Sequence, residues 1–219
     1  MIPAMAHPLW PIYDLRLRTA RLELRLPDED EIVELCRVAR AGIHPADEMP
    51  FGLPWSIKPR PQFEREFLQF HLAIRGSWTP DAWNLELAVF RDGTPIGSQG
   101  LLANDFATLR TVGTGSWLGQ PFQGRGIGTE MREAVLALAF DGLGAEIATS
   151  EAFIDNPASA GVSRRLGYAH NGFGRIAPLG AARETERFRM TRESWASIPR
   201  SPVRIDGLDR CRDLFGLNG

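Results

Sequence analysis

The sequence predicts an α/β (α+β) fold, in which strands and helices alternate along the chain. Residues 19–26 alternate apolar and charged side chains, which indicates a half-buried strand. Asp92-Gly93 separates two apolar runs, a strong signal for a β-hairpin. A glycine-rich loop at 119–128 leads directly into residues whose apolar side chains recur at helical spacing. These features predict a sheet whose strands are connected by both hairpins and helices.

Composition indicates a single soluble globular domain. The chain has 219 residues, a net charge of -2, 43% hydrophobic residues and 24% charged residues. This charge gives no general attraction to nucleic acid or to an anionic membrane. No apolar run approaches the roughly 20 residues needed to span a bilayer, and residues 1–10 lack the pattern of a signal peptide. Cys36 and Cys211 form no Cys-x-x-Cys pair, so we expect a cytoplasmic protein with reduced thiols.

The first half of the chain is predicted to contain one strand and two helices. Pro27 ends the strand at 19–26, and Asp28 with Glu31 forms a capping-box pattern before the first helix. Residues 42–61 are rich in proline and predict a loop that carries large apolar side chains. A second helix with several phenylalanines follows this loop.

The second half is predicted to begin with three strands, at 85–90, 96–102 and 112–118. The next elements are a helix at 126–142, a short buried strand at 145–150, a helix from Asn156-Pro157 to Gly167, and strands at 168–173 and 187–190. Residues from 197 onward are rich in arginine and are interpreted as an appendage.

The glycine-rich loop has the properties of an anion site. Its backbone N–H groups lie at the start of a helix, where the helix dipole adds partial positive charge. The P-loop pattern is excluded because no lysine follows, and the spacing of the glycines excludes the dinucleotide-binding pattern. The remaining pattern, Gln-x-x-Gly-x-Gly from Gln123 to Gly128, resembles the pyrophosphate loop of the GNAT superfamily of acyl-CoA-dependent N-acyltransferases.

The predicted order of elements also resembles the GNAT order, over residues 19–195. Residues 19–25, 156–159, 166–168 and 188–195 resemble signatures of the RimJ/RimL-like branch. The resemblance implies a central, mixed, mostly antiparallel twisted sheet flanked by helices. It divides the chain into an N-terminal extension (1–18), a GNAT domain (19–195) and a C-terminal appendage (196–219).

The resemblance implies transfer of an acetyl or succinyl group from an acyl-CoA to a primary amine, by direct attack in a ternary complex. In the family, pantetheine inserts beside the strand that precedes the loop. The implied coenzyme A contacts are Trp117, Leu118, Gly119, Gln123, Gly124, Arg125, Gly126, Ile127, Gly128, Thr129, Asn156 and Ser159. Among these, Arg125 is a candidate for contact with the 3′-phosphate, and Asn156 is a candidate for contact with the pantetheine arm.

Residues for proton transfer are less well defined by the resemblance. Many GNAT enzymes place a tyrosine seven residues after this asparagine to protonate the leaving thiolate, and here that position is Ser163. Tyr168 is an alternative donor. The strand before the loop has no carboxylate, so Glu151 is the first candidate for the base, followed by Asp105 and Asp155. A primary amine could also react without a dedicated base. The four histidines show no metal-ligand spacing, so no metal is expected.

The acceptor is not identified by the sequence. The loop at 49–55, the second helix, Trp78, Trp83 and the loop at 103–110 are candidates to contact it. A CoA-binding sensor or scaffold without catalysis is the alternative function, and a nucleic-acid-binding module is a third. The expected partners are an acyl-CoA and an amine acceptor, either a protein or a small molecule, without nucleic acid or membrane. The resemblance to the family also implies a homo-oligomer.

Overall fold

The structure is a computed structural model that describes residues 7–217. The strands are β1 (Arg16–Arg18), β2 (Glu23–Arg25), β3 (Ala82–Arg91), β4 (Thr94–Asn104), β5 (Thr111–Leu118), β6 (Ile147–Phe153), β7 (Ala169–Ile176), β8 (Arg183–Thr191) and β9 (Arg204–Asp206). The helices are α1 (Glu29–Ala41), α2 (Gln62–Gly76), α3 (Phe106–Leu109), α4 (Ile127–Ala137), α5 (Pro157–Arg165) and α6 (Arg192–Ser197). A π-helical turn, Leu138–Gly142, continues α4.

Within residues 7–217 the strands form one sheet in the order β7-β8-β6-β5-β4-β3-β2-β1-β9. Strands β5 and β6 pair in parallel, and the other neighbouring strands pair antiparallel. The predicted mixed, mostly antiparallel sheet flanked by helices is confirmed. Residues 1–6 of the predicted N-terminal extension, and most of the segment judged not to be a signal peptide, lie outside the described residues.

Two apolar clusters pack on the opposite faces of the sheet. The larger cluster joins α4 and the C-terminal residues to side chains such as Leu85 and Val112. The smaller cluster joins α1 and α2 to Ala88 and Phe90, with Trp117 packed against it. Because successive side chains of a strand point to opposite faces, neighbouring residues in the regular stretches of β3–β6 face different clusters.

The predicted strand at 19–26 is wrong in extent. The structure has two short antiparallel strands, β1 and β2, joined by a turn at 19–22. The turn faces α4, where the Thr19 hydroxyl donates to Glu130 Oε1 at 2.6 Å and Arg21 Nε donates to Glu130 Oε2 at 2.7 Å. These contacts are between residues more than a hundred positions apart, so the local alternation does not reveal the turn.

The C-terminal residues belong to the same sheet and core. Strand β9 pairs with β1 at the sheet edge. Cys211 and Phe215 are fully buried in the larger cluster. The Trp78 indole donates to the Leu214 carbonyl at 2.7 Å, and the Phe215 ring contacts the rings of Trp78 and Trp83. The two tryptophans considered for acceptor contact therefore pack against this segment.

The predicted hairpin and capping box are confirmed. Asp92 and Gly93 both have positive φ, as a two-residue hairpin turn requires. At the start of α1 the Asp28 carboxylate accepts from the Glu31 N–H at 2.8 Å, and the Glu31 carboxylate accepts from the Asp28 N–H at 3.0 Å. Both hydrogen bonds of the capping box are therefore present.

We expect Asp28→Ala to lower the free energy of unfolding by about 1 kcal/mol, because N–H groups in the first turn of α1 lose their side-chain acceptor. Urea denaturation measures this change. Asp28→Asn is the matched control, since asparagine also caps helices well and should retain most of the stability. An Asp28→Ala protein as stable as the parent would show that water replaces the cap at no cost.

No helix among residues 7–217 is long and apolar enough to cross a membrane.

Candidate functional site

The site is an opening between the two parallel strands at the centre of the sheet. Thr111–Gly113 of β5 pair with Ile147–Thr149 of β6, and the pairing stops there. Strand β5 continues along β4 as far as Leu118, while β6 continues along β8 as far as Phe153. The two strands therefore diverge beyond residues 113 and 149. We call this divergence the splay.

The backbone of β5 presents N–H groups to the splay. The Gly119 N–H donates to the Ile96 carbonyl at 2.9 Å, continuing the β4–β5 ladder. In such a ladder successive residues direct their N–H groups to opposite sides. The N–H groups of Leu118 and Ser116 therefore point toward the splay, whereas those of Gly119 and Trp117 point toward β4. Of the three predicted backbone contacts in this strand, Leu118 is the one whose N–H is directed at the opening.

The glycine-rich loop follows β5 and is held by a side chain of its own. Gln123 Nε2 donates to the carbonyls of Ile43 and Leu118, at 2.8 Å in each case. Gly124 and Gly126 have φ values of 71° and 77°, in the left-handed region that favours glycine. Gln123 therefore fixes the loop instead of presenting its amide to a ligand.

The loop presents a row of free N–H groups. Among residues 7–217, the N–H groups of residues 124–129 have no hydrogen-bond acceptor, and the first bond of α4 is donated by Glu130 to the Gly126 carbonyl. They gather at the N-terminus of an eleven-residue helix. Free donors combined with the helix dipole suit a phosphate or pyrophosphate. The predicted contacts Gly124, Arg125, Gly126, Ile127, Gly128 and Thr129 lie together here.

Two arginines outside the loop reach it, and the sequence analysis missed both. Arg21 Nη1 donates to the Arg125 carbonyl at 3.3 Å, while its ion pair with Glu130 fixes the guanidinium. Arg165 Nη1 donates to Thr129 Oγ1 at 3.2 Å from α5. Arg125 itself is exposed. Because Glu130 neutralises Arg21, it is Arg165 that adds positive charge at the loop beyond that of Arg125.

Asn156 caps α5, the helix that follows β6. Its Oδ1 accepts from the Ser159 N–H at 3.1 Å. An amide of this kind has donors as well as an acceptor, and no acceptor for the Asn156 amide N–H groups exists within residues 7–217. The helix-capping role and the predicted ligand contact are therefore compatible. In this arrangement the Ser159 N–H is used by the cap.

The two predicted proton donors lie in a buried polar cluster. Ser163 is fully buried, and its hydroxyl is 3.1 Å from the Ser150 hydroxyl. Tyr168 is 5% exposed, and its hydroxyl has no hydrogen-bond partner within the described part of the chain. Burial raises the pKa of Tyr168, with the Arg132 guanidinium acting in the opposite direction. Arg132, which the sequence analysis did not consider, is the charge at the centre of this cluster.

Two of the three carboxylates predicted as bases form ion pairs with arginines. Glu151 faces the side of α1 and α2, accepts a hydrogen bond from Thr185, and pairs with Arg187 at 3.3 Å. Asp155 forms a bidentate pair with Arg183. Asp105 precedes α3 in a left-handed conformation.

Glu86 in β3 is a better-placed carboxylate that the sequence analysis missed. Its Oε1 accepts from the Ser98 hydroxyl at 2.5 Å. Gly100 lies opposite it in β4, and a Cβ there would come within 2.6 Å of Glu86 Oε2. Gly115 is opposite Gly100 in β5, where the space above the backbone is open. The carboxylate therefore lies over Gly100, and the neighbouring backbone at Gly115, beside the splay, is uncovered on the same face.

The environment of Glu86 favours a base that works near neutrality. Burial raises its pKa to about 7, against the opposing effect of the Ser98 hydrogen bond. A pKa close to the working pH is what general-base catalysis requires. The signal in the sequence is a glutamate between Leu85 and Leu87, but the strand register is needed to align it with Gly100 and Gly115.

An aromatic cluster covers the same face beside Glu86. The Trp117 ring contacts Trp55 and Phe67 at centroid distances of 5.9 and 6.2 Å. Trp55 also contacts Phe51 from the proline-rich loop and Phe63 from α2. The loop at 49–55 and α2, two of the segments predicted to contact the acceptor, thus meet at the splay.

The chain is similar to known proteins in sequence and in fold. Residues 21–169 match the acetyltransferase (GNAT) domain. The fold is similar to Mycobacterium smegmatis RimJ in complex with CoA-disulfide, at TM-score 0.66 and 18% identity, covering 92% of this chain and 94% of that one.

Two further structures share the fold. RimL, a ribosomal-protein α-N-acetyltransferase in complex with coenzyme A, has TM-score 0.60 and 18% identity, covering 79% of this chain and 95% of RimL. A GCN5-related N-acetyltransferase from Brucella melitensis has TM-score 0.66 and 21% identity, covering 83% of this chain and 80% of that one. With the domain match over most of its length, the chain belongs to the GNAT family of acetyltransferases.

Proposed function

We propose that this GNAT acetyltransferase moves an acetyl group from acetyl-CoA to the amino group of a protein, by direct attack in a ternary complex. The observation that carries the proposal is the splay between β5 and β6, open beside a loop of free N–H groups. An amino group of a protein is the acceptor class because RimL, a structural neighbour, acts on a ribosomal protein.

The donor would bind along the splay and the loop. The N–H groups of 124–129 suit its pyrophosphate, with Arg125 and Arg165 adding positive charge. The Asn156 amide, directed from the start of α5, suits the pantetheine arm. The Leu118 N–H faces the splay and would polarise the thioester carbonyl, as preorganised donors do in acyl transfer.

The acceptor would enter from the side of α1 and α2. There Glu86 would remove the proton that the amine loses as it attacks the carbonyl. The aromatic cluster around Trp117 would exclude water from the reacting atoms. As the C–N bond forms and the C–S bond breaks, the electron pair of the C–S bond passes to sulfur.

Calorimetric titration with acetyl-CoA, succinyl-CoA, CoA and dephospho-CoA tests the donor site. We expect micromolar binding of acetyl-CoA and weaker binding of dephospho-CoA. Arg125→Ala should reduce the difference between CoA and dephospho-CoA, because the contact with the 3′-phosphate is lost. Tighter binding of succinyl-CoA would instead assign the longer acyl donor.

Transfer to amines must then be measured with the preferred donor. Acetylation of peptides with free N-termini or lysines, followed by mass spectrometry, is the direct assay. Binding without transfer to any amine would favour the CoA-binding sensor. Absence of binding to every CoA derivative would exclude both functions for this site.

A further inference from the structure

Arg132 is a buried cation without a carboxylate partner. It lies in α4 and is 4% exposed. Its three donor nitrogens face neutral oxygens: Nε is 3.2 Å from Gln99 Oε1, and the Nη atoms are 3.1 Å from the hydroxyls of Ser150 and Ser116. No carboxylate oxygen of residues 7–217 lies within 4.0 Å of the guanidinium. A buried charge in such surroundings costs stability, and an apolar residue of similar size would be at least as stable.

The guanidinium of Arg132 lies beside the splay and contacts both of its strands. Ser116 lies in β5, beyond the last residue paired with β6, and Ser150 directly follows Thr149, the last paired residue of β6. Both side chains point to the face that α4 covers. The guanidinium therefore bridges the two strands where they separate, on the opposite face of the sheet from Glu86.

The bonds to Arg132 fix the direction of the serine hydroxyls. A guanidinium can only donate, so each serine oxygen accepts from it and must direct its own proton elsewhere. Ser150 shares a hydrogen bond with Ser163. The Ser116 hydroxyl is partly exposed and has no acceptor among the described residues. It is a donor that an electron-rich group in the splay would satisfy.

Aminolysis of a thioester generates such a group. The C–N bond forms, the C–S bond breaks, the amine loses a proton to a base, and the electron pair remains on the CoA sulfur as a thiolate. A serine hydroxyl is far less acidic than a thiol, whose pKa is about 8.5, so it does not transfer its proton to that sulfur. It can donate a hydrogen bond, and such a bond is stronger to a charged acceptor in a site of low dielectric.

We propose that Arg132 is a positioning residue that orients the Ser116 hydroxyl as a donor to the departing CoA thiolate and supplies the buried positive charge that stabilises it. This inference rests on the proposed function. It explains why a buried cation is surrounded by neutral polar groups without a carboxylate. In this arrangement Ser163 and Tyr168 belong to the hydrogen-bonded surroundings of the sulfur, and neither acts as the acid that protonates the thiolate.

The test measures the pKa of the CoA thiol while CoA is bound to the protein. The pH is raised, and the ultraviolet absorbance of the thiolate is recorded. The same titration with acetyl-CoA, whose sulfur is acylated, removes the contribution of the protein groups. We expect the bound thiol of the wild type to titrate about 1 to 3 units below that of Arg132→Met, since an opposite charge nearby shifts a pKa by this amount. Ser116→Ala should show part of the same change.

Controls separate the inference from the proposed function and from folding. Arg37→Met removes an exposed arginine of α1 and should leave the pKa of the bound thiol unchanged. If Arg132→Met does not fold or does not bind CoA, the inference is tested with Ser116→Ala, because that variant keeps the buried charge of Arg132. Equal pKa values of the bound thiol in the wild type and in the decisive variant would overturn the inference. A wild type that binds no CoA would instead contradict the proposed function.

Discussion

Glu86→Gln should lower kcat about 10²- to 10³-fold while the Kd for acetyl-CoA stays unchanged, because general-base catalysis typically contributes a factor of this size. Glutamine keeps the shape and can still accept from Ser98, but it cannot take a proton from the amine. Steady-state kinetics with saturating donor and a peptide acceptor measure the change. Glu151→Gln is the competing variant: a large loss there, with Glu86→Gln active, would assign the base to Glu151.

The pH dependence of catalysis gives a second measure of the same group. With a pKa of about 7, Glu86 is protonated below neutrality and ionised above it. We therefore expect kcat/KM of the wild type to rise through pH 7 as the base becomes available. In Glu86→Gln this rise near pH 7 should be lost, leaving only the increase that accompanies deprotonation of the acceptor amine, whose pKa is about 8 to 10. A wild-type profile that is flat across this range would contradict the assignment.

The contribution of Glu86 to the stability of the fold should decrease as the pH rises, whereas its contribution to catalysis should increase. The pKa of Glu86 rises from 4.5 to about 7 on folding, so the folded protein binds this proton more tightly than the unfolded chain does between those values. The contribution of Glu86 to stability therefore falls as pH rises through that window. We expect Glu86→Gln to have a higher Tm than the wild type at pH 8, with the difference shrinking toward pH 5.

Gly126→Val should weaken acetyl-CoA binding roughly 10- to 100-fold. A β-branched residue at a φ of 77° carries about 1 to 3 kcal/mol of strain, so the loop would relax and turn its N–H groups away from the phosphate position. Calorimetry measures the affinity. The fold should survive, since a Cβ at this position would meet only Arg21 Nη2 at 3.6 Å.

Gly180→Val is the matched control for the loop. Gly180 has a φ of 78° and open space at its Cβ position, so the substitution imposes the same backbone strain outside the glycine-rich loop. We expect a small loss of stability and an unchanged Kd for acetyl-CoA. Equal affinity in Gly126→Val and the wild type would show that the N–H groups of this loop do not hold the donor.

The sequence by itself determined features that depend on local chemistry. The capping box at Asp28, the hairpin at Asp92-Gly93 and the start of α4 after the glycines were all predicted, because each is specified by residues a few positions apart. The glycine-rich loop belongs to this group, since its φ values and its free N–H groups depend on one short segment of the chain. The family followed from the order of these elements.

The tertiary structure alone decided the residues proposed for chemistry. Glu86 is aligned with Gly100 and Gly115 by the register of three strands, and Arg132 reaches Ser116 and Ser150 from a helix. Burial and electrostatic environment depend on such contacts between distant segments, and no local pattern encodes them. The sequence therefore predicted a site for the donor, and only the packing of the sheet revealed the buried charges, Glu86 and Arg132, on which the proposals rest.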